Sequence, residues 1–243
     1  MSDSDPSGNQ LLSAFSLSVY QQLSIFIEEV DLISGEVVHP SYQIVSEVYF
    51  PLTAIFSSVI KMADGSTSEV AMIGNEGLVG LSAVLGNTLV ATNSVVLVSG
   101  KAMKLSTQVV REQFQQDSRL QLLLLLYAQA YIAQISHISA CNSLHNVEQR
   151  LARFLLLVHD CIGQEKLSLT QKTIALMLGV RRASITETAL SFQSRKIIRY
   201  SRGKITICDR QKLEEIACEC YGKIKSDYRN LVQQELPDHP DNV

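Results

Sequence analysis

The chain has 243 residues, of which 46% are hydrophobic, and a formal net charge of −3. This length and hydrophobic share allow a core in two modest domains and exclude an intrinsically disordered chain. The charge is unevenly divided: residues 1–110 carry a net −7 (ten acids, three bases), and residues 111–243 carry a net +4 (fourteen acids, eighteen bases). A basic second half indicates that this half alone meets a polyanion.

The segment 1–17 is expected to be a flexible tail. Met1–Gln10 is polar and lacks the basic and apolar regions of a signal peptide. A short helix is predicted over Ser18–Phe26. Residues 18–107 form a predicted sensor-like domain, in which short runs rich in Val, Ile, Tyr and Phe alternate with turn residues. Strands at this spacing, with Asp64-Gly65 as a hairpin turn, predict an antiparallel sandwich or barrel.

The sequence GNEGLVG, residues 74–80, has the glycine content of a loop that approaches an anion closely. However, no Lys or Arg occurs between Met62 and Gly100. Burying a phosphate group is costly unless charge and hydrogen bonds replace its water. Three alternatives therefore stay open for this loop: a cyclic nucleotide, a less charged ligand, or no small ligand at all.

Residues 108–145 are predicted to form one long helix, because bulky side chains recur there with a 3.6-residue period. Its apolar run, Leu120–Ala133, is shorter than the roughly 20 residues that cross a bilayer, so we expect a buried helix in a soluble, cytoplasmic protein. The helix is apolar on two faces, and a second copy of the chain is the simplest partner for one of them. The alternative is burial of both faces within one chain. The predicted dimer interface consists of Leu124, Tyr127, Tyr131, Ile135 and Ile138.

All five cysteines lie in the second half of the chain: Cys141, Cys161, Cys208, Cys218 and Cys220. An odd number without a secretory signal predicts reduced thiols. Cys218 and Cys220 have no further thiol or imidazole at short spacing, so we expect no metal site. The sequence also lacks nucleophile-elbow, Walker and HExxH motifs, which argues against an enzyme.

Residues 146–228 predict a second, mostly helical domain, followed by a tail over 229–243. Its first helix begins after the N-cap Asn146 and ends at Gly163. A short helix over Thr170–Leu178 ends at Gly179, and a second runs from about Arg182 to Lys196. Small, turn-forming and apolar residues stand at Ala175, Gly179 and Ile185, which is the spacing of a helix-turn-helix.

Seven bases and one acid occur between Arg181 and Lys204. The sequence IIRYSRGKITI that closes this segment predicts two strands joined by a basic turn, the wing of a winged helix. A basic cluster at the start of a recognition helix indicates DNA binding, with Arg181 and Arg182 placed to contact bases. The predicted DNA-binding residues are Thr170, Gln171, Arg181, Arg182, Ser184, Thr186, Glu187, Arg195, Arg202 and Lys204.

Five stretches resemble the Crp/Fnr family of bacterial transcription regulators: SGEVVHP (34–40), VYFPLTAIFS (48–57), IGNEGLVG (73–80), VEQRLARFLLL (147–157) and LTQKTIALMLGVRRASIT (169–186). The resemblance implies an α+β fold with an N-terminal antiparallel β-roll like that of cyclic-nucleotide-binding domains, a long central dimerisation helix and a C-terminal winged helix-turn-helix. It implies a homodimer whose recognition helices read a palindromic operator in double-stranded DNA, with RNA polymerase as a further partner.

The chain departs from the family's cyclic AMP receptors in the sheet domain. Those receptors place an Arg at the end of the phosphate cassette, where this sequence reads VATNS (90–94) without an Arg. The candidate effector pocket is therefore a degenerate one, made of Gly74, Glu76, Gly77, Asn93 and Ser94. The oxygen-sensing relatives bind an iron–sulfur cluster through N-terminal cysteines, and this chain has no Cys before Cys141, so no cofactor is expected.

These patterns predict a homodimeric, sequence-specific DNA-binding transcription regulator that does not bind a cyclic nucleotide. The alternative is a ligand- or protein-sensing module whose helix-turn-helix binds another protein rather than an operator.

Overall fold

The computed structural model describes residues 8–86, 89–201 and 203–233. Its N-terminal half begins with two short helices, α1 (Gln10–Ser13) and α2 (Leu17–Ser24). The strands that follow in the described residues are β1 (Glu28–Leu32), β2 (Val37–His39), β3 (Glu47–Pro51), β4 (Ile55–Lys61), β5 (Thr67–Ile73), β6 (Asn93–Val98) and β7 (Gly100–Ser106), with α3 (Leu81–Leu85) between β5 and β6.

These strands form two antiparallel sheets that pack into a β-roll. One sheet has the order β1-β7-β3 and the other β2-β6-β4-β5. The predicted Asp64-Gly65 turn joins β4 to β5, which pair from Phe56 opposite Ile73 to Lys61 opposite Thr67, with a register shift between Ser58 and Val59. Gly65 has a φ of 83°, a conformation that suits glycine at this turn. The predicted antiparallel sheet domain is confirmed.

The sequence predicted a flexible tail over residues 1–17, but residues 9–17 pack against the β-roll. Residues 1–7 lie outside the described residues. The Asn9 side chain is fully buried and donates hydrogen bonds to the carbonyl oxygens of Pro51 (2.9 Å) and Gly77 (3.0 Å). Leu11 and Leu12 of α1 are also fully buried, in the same core as Phe50. The prediction rested on the polar composition of residues 1–10 and did not take into account Leu11 and Leu12, which pack on the β-roll.

The predicted single helix over 108–145 is two helices, α4 (Thr107–Gln116) and α5 (Ser118–Leu144). Asp117 separates them, with an extended backbone and a side chain that accepts a hydrogen bond from the Leu120 amide at 2.6 Å. An Asp that caps the next helix is more favourable here than a continuous helix. By length and composition α5 could cross a membrane, with a mean hydropathy of 1.3 over its most apolar window, a third of which is buried within the chain.

Three of the five residues predicted for a dimer interface on α5 are buried within their own chain. Leu124, Tyr127 and Ile138 are at most 3% exposed because they pack within their own chain. The Tyr127 hydroxyl accepts a hydrogen bond from the Leu78 amide (2.9 Å), and the half-buried Tyr131 bonds Ser58 of β4 (2.8 Å). This face, which Ile135 borders, therefore fixes α5 to the β-roll.

The C-terminal half is mostly helical, as predicted. Its elements are α6 (Val147–Ile162), β8 (Lys166–Leu167), α7 (Gln171–Leu178), α8 (Arg182–Ser194), β9 (Ile198–Ser201), β10 (Lys204–Ile207), α9 (Arg210–Ile216) and α10 (Cys220–Gln233). Asn146 and Gln149 form a capping box at the start of α6, and Gly163 ends this helix with a φ of 65°. Strand β8 joins the predicted hairpin to make a sheet with the order β8-β10-β9. Helix α10 extends past the predicted boundary at Tyr228.

One hydrophobic core crosses from the β-roll into the C-terminal half. Ile55, Val59 and Met72 of the β-roll belong to the same buried cluster as Ile174 and Met177 of α7. At this junction the Ser57 hydroxyl donates a hydrogen bond to the Glu69 carboxylate at 2.7 Å and lies 3.2 Å from the Met177 sulfur. Glu69 is only 3% exposed, and its burial raises its pKa to about 7.

We expect Glu69→Gln to stabilise the protein at alkaline pH. The pKa of Glu69 rises from 4.5 to about 7 on folding, so between these values the native state retains a proton that the unfolded state releases. The free energy of unfolding of the wild type therefore falls as pH rises through this window, by on the order of 3 kcal/mol. The Gln side chain does not titrate, so the variant does not lose this stability.

Urea unfolding at pH 5, 6, 7 and 8 measures the difference. The exposed Glu215→Gln is the matched control and is expected to follow wild type. Equal pH dependence in Glu69→Gln and wild type would contradict the assignment.

Candidate nucleic-acid interface

Helices α7 and α8 cross in the geometry of a helix-turn-helix. Thr170 caps α7 by accepting a hydrogen bond from the Thr173 amide (3.1 Å), and Gly179 ends α7 in the left-handed region with a φ of 61°. Ala175, 6% exposed, lies in the buried core, and Ile185 of α8 is fully buried there. The small, turn-forming and apolar positions recognised in the sequence thus have the predicted roles.

The start of α8 presents two guanidinium groups to solvent. Arg181 occupies the N-cap position without a capping bond from its side chain, and Arg182 is the first helical residue. Both are exposed, and within the described residues neither side chain forms an ion pair. The helix dipole adds positive potential at this end. An anion or a base edge that presents acceptors is the natural ligand for such a helix start.

The neutral residues predicted to contact DNA mainly hold the two helices together. The Thr186 hydroxyl lies 2.8 Å from the Gln171 side-chain oxygen and 3.0 Å from the Arg182 carbonyl. The backbone N–H of Gln171 donates a hydrogen bond to the Tyr200 hydroxyl at 3.4 Å, which connects strand β9 to the start of α7. Ser184 is half-buried, while Glu187 projects into solvent one turn after Ala183. These bonds fix the direction in which the α8 start points.

The predicted wing is present as the β9–β10 hairpin, in which Lys204 pairs with Ser201. Arg199 and Lys204 are exposed on it. Arg202 lies outside the described residues. Arg195, at the other end of α8, forms an ion pair with Glu148 of α6 and is therefore engaged within the chain. Among the described residues, Arg181, Arg182, Arg199 and Lys204 are exposed bases of the helix start and the wing that form no ion pair.

Two glycines of the β-roll loop, Gly74 and Gly77, are packed against helices. A side chain at Gly74 would collide with the Cys161 sulfur of α6, and one at Gly77 with the Tyr127 hydroxyl of α5. Glu76 accepts a hydrogen bond from the Gly74 amide at 2.8 Å, and burial raises its pKa. The glycines thus serve close contact with α5 and α6.

The other two residues of the predicted pocket lie elsewhere in the β-roll. Ser94 stands opposite His39 and Ser58 in the sheet, and the Asn93 side chain accepts a hydrogen bond from the Ser41 amide at 3.0 Å. A cavity of about 480 Å³ does open beside Glu76, but Gly74, Gly77, Asn93 and Ser94 do not line it. Its walls include Gln134, Asp160 and Lys225 from α5, α6 and α10. Sequence reasoning missed this cavity because its walls come from five separate segments of the chain.

A helix pair with an exposed basic start, followed by a β-hairpin, defines a winged helix-turn-helix. Residues 149–216 match the family described as Crp-like helix-turn-helix domain. The chain therefore carries a Crp-like helix-turn-helix domain, as the sequence resemblance indicated. No curated protein sequence matches the chain significantly.

Solved structures extend the likeness to the whole fold. A regulator of the Crp/Fnr family from Eubacterium rectale is 17% identical, with a TM-score of 0.67 over 85% of this chain and 96% of that one. FixK2 from Bradyrhizobium japonicum is 14% identical, with a TM-score of 0.68 over 79% of this chain and 98% of that one. The c-di-GMP-responsive regulator CLP from Xanthomonas campestris is 10% identical, with a TM-score of 0.64 over 79% and 99%. The chain thus has the Crp/Fnr-type regulator fold.

Proposed function

We propose that this protein is a homodimeric, sequence-specific DNA-binding transcription regulator. The observation that carries the proposal is the pair Arg181 and Arg182, exposed and without ion-pair partners in the described part of the chain, at the start of a helix held in a winged helix-turn-helix. The match of residues 149–216 to Crp-like domains supports it. DNA and RNA polymerase as partners, and a cytoplasmic location, follow from this role.

The two kinds of basic residue would do different work on DNA. A guanidinium at the start of α8 can donate two hydrogen bonds to guanine in the major groove, which discriminates against other bases. Lys204 on the wing is suited to the phosphate backbone, where it adds affinity for every sequence alike. Glu187, one turn into α8, would accept from cytosine or repel a phosphate. Base reading is thus assigned to α8, and sequence-independent affinity to the wing.

A surface for dimerisation is available on α5, opposite the face that packs on the β-roll. Its exposed residues alternate at steps of three and four, the spacing of a coiled-coil seam. They are Leu122, Leu125, Gln129, Ile132, Ser136, Ser139 and Ser143. We call these residues the α5 seam. Ile132 is 62% exposed, and the serines of the last two turns would allow a second helix to approach closely. A two-fold pairing here would present two α8 helices to a palindrome.

The degenerate effector pocket remains part of the proposal. Cys161 and Tyr127 cover the glycines that would cradle a phosphate, and the segment between Met62 and Gly100 supplies no cation. A cyclic phosphodiester at these glycines would therefore lose its water without gaining a charged partner from this segment.

Arg182→Ala is expected to relax sequence specificity. The ratio of affinities for the preferred promoter fragment and bulk DNA should fall by roughly 5- to 150-fold, the equivalent of about 1–3 kcal/mol. Lys204→Ala should weaken both affinities alike and lower the slope of log affinity against log salt by about one. Fluorescence anisotropy across a salt series measures both quantities.

Arg119→Ala, an exposed base on α5, is the matched control and should behave as wild type. If the wild-type protein prefers no fragment over bulk DNA at physiological salt, the proposal is wrong. Binding of a purified partner protein through α8 would then favour the interaction-module alternative.

Ile132→Glu in the α5 seam should convert the dimer to a folded monomer, because a charge would be buried against the partner helix. Sedimentation equilibrium should give twice the chain mass of 26.9 kDa for wild type and the chain mass for the variant. The control is Ile33→Glu, which changes another exposed isoleucine, in the segment between β1 and β2, and should stay dimeric. If both Ile132→Glu and Leu125→Glu stay dimeric, the α5 seam is not the dimer interface.

Titration calorimetry of the full chain with cyclic AMP, and with c-di-GMP because of the relative CLP, should show no saturable heat at millimolar ligand. The physical reason is that the segment between Met62 and Gly100 supplies no cation and that Cys161 and Tyr127 cover the glycines. Saturable binding that is lost in Glu76→Gln would contradict the degenerate pocket.

A further inference from the structure

Three cysteines and a histidine from two distant segments meet beside the end of α5. Cys141 and His145 lie one turn apart at the end of α5, and Cys218 and Cys220 flank the start of α10. Their three sulfurs and one imidazole nitrogen all lie within 4.8 Å of one another. The Cys141 and Cys218 sulfurs are 3.4 Å apart, and the Cys220 sulfur is 3.7 Å from His145 Nδ1. The three thiols are at most 4% exposed. We call this group the Cys₃His cluster.

The dimensions of the cluster suit one tetrahedral ion. Metal–sulfur bonds of about 2.3 Å place the ligand atoms of a tetrahedral site about 3.8 Å apart, within the range seen here. Three thiolates and an imidazole are soft donors, which select zinc over magnesium or calcium. Four protein ligands complete the coordination, as in structural rather than catalytic zinc sites.

A carboxylate orients the histidine for this role. Glu219 lies 3.2 Å from His145 Nε2, the ring nitrogen opposite the one that faces Cys220. When Nε2–H donates to the carboxylate, the lone pair of Nδ1 points toward the sulfurs. Zinc-binding histidines are commonly fixed in this way by an outer carboxylate.

Buried positive charge balances the thiolates. Arg153 of α6 is 1% exposed, and its Nε and Nη1 have no hydrogen-bond partner among the described residues. Arg153 lies close enough for its charge to act on the Cys141 and Cys218 thiols. Three thiolates, a neutral imidazole and a divalent ion carry a net charge of −1, which a neighbouring guanidinium offsets.

We propose that Cys141, His145, Cys218 and Cys220 bind one zinc ion. On binding, the thiols that are still protonated release their protons to solvent and each sulfur donates an electron pair to the ion, with no change of oxidation state. Residues 141 and 218 are separated by 77 positions, and the entire winged helix-turn-helix lies between them. The ion would therefore close a loop around the DNA-binding domain and fasten α10 to α5 where α6 begins.

No metal site was predicted from the sequence, because Cys218 and Cys220 were considered alone. Two separate pairs of ligands could have indicated the site: Cys141 and His145, which are four residues apart on a helix, and Cys218 and Cys220. Which halves meet is decided only by the packing of α10 on α5.

The test is a titration of the reduced, full-length protein with Co²⁺, followed by displacement with Zn²⁺. Wild type should bind one Co²⁺ per chain, with the thiolate charge-transfer and intense d–d bands of tetrahedral coordination, and Zn²⁺ should remove them. Cys218→Ser should lose these bands, whereas Cys208→Ser, which changes an exposed thiol outside the cluster, should retain them.

Glu219→Gln keeps the proposal testable if the cysteine variants fail to fold, because this side chain is 72% exposed. It should lower zinc affinity by roughly 10- to 100-fold, measured by competition with a chromophoric chelator. Absence of the thiolate bands in folded, reduced wild type would overturn the proposal. So would formation of a Cys141–Cys218 disulfide in a protein that binds no Co²⁺ when reduced.

Discussion

The packing of α7 on the β-roll determines how the rest of the molecule is arranged. Met177 of α7 lies against Ser57, and its neighbours share one hydrophobic core with Ile55 and Met72 of the sheet. Because α8 is bonded to α7 through Thr186 and Gln171, the direction of the recognition helix follows from this contact. A separation of the two halves would expose that core together with Glu69. The proposed DNA-binding surface is therefore positioned by the β-roll.

Three buried charged side chains lie at the joint between the two halves. Glu69, Arg150 and Arg153 are all under 9% exposed, and the charge of Arg153 acts on both Glu69 and the Cys141 thiol. Arg150 donates a hydrogen bond to the carbonyl of Leu178 at the end of α7, which ties α6 to the helix-turn-helix. Buried charges that need specific partners favour one arrangement over others, at some cost in stability. A ligand that acts on this joint would act on the orientation of α8.

The parts that could be predicted from sequence are those that local chemistry specifies. Gly179, Asn146 and Asp64-Gly65 mark ends and turns that depend on a few neighbouring residues, and each is found where it was predicted. The features that were predicted wrongly, or not predicted, are those that depend on tertiary packing. Apolar residues cover both sides of α5, so periodicity alone could not tell which face meets the β-roll. The Cys₃His cluster joins segments more than 70 positions apart, which no local pattern reveals.

Selection of binding sites from random duplex DNA by the 243-residue chain tests whether a pair of α8 helices reads DNA. We predict an enriched inverted repeat, with half-site centres about 10 base pairs, or one helical turn, apart, or at a multiple of that distance. An enriched pool without a repeated motif, or no enrichment above the starting library at physiological salt, would contradict it.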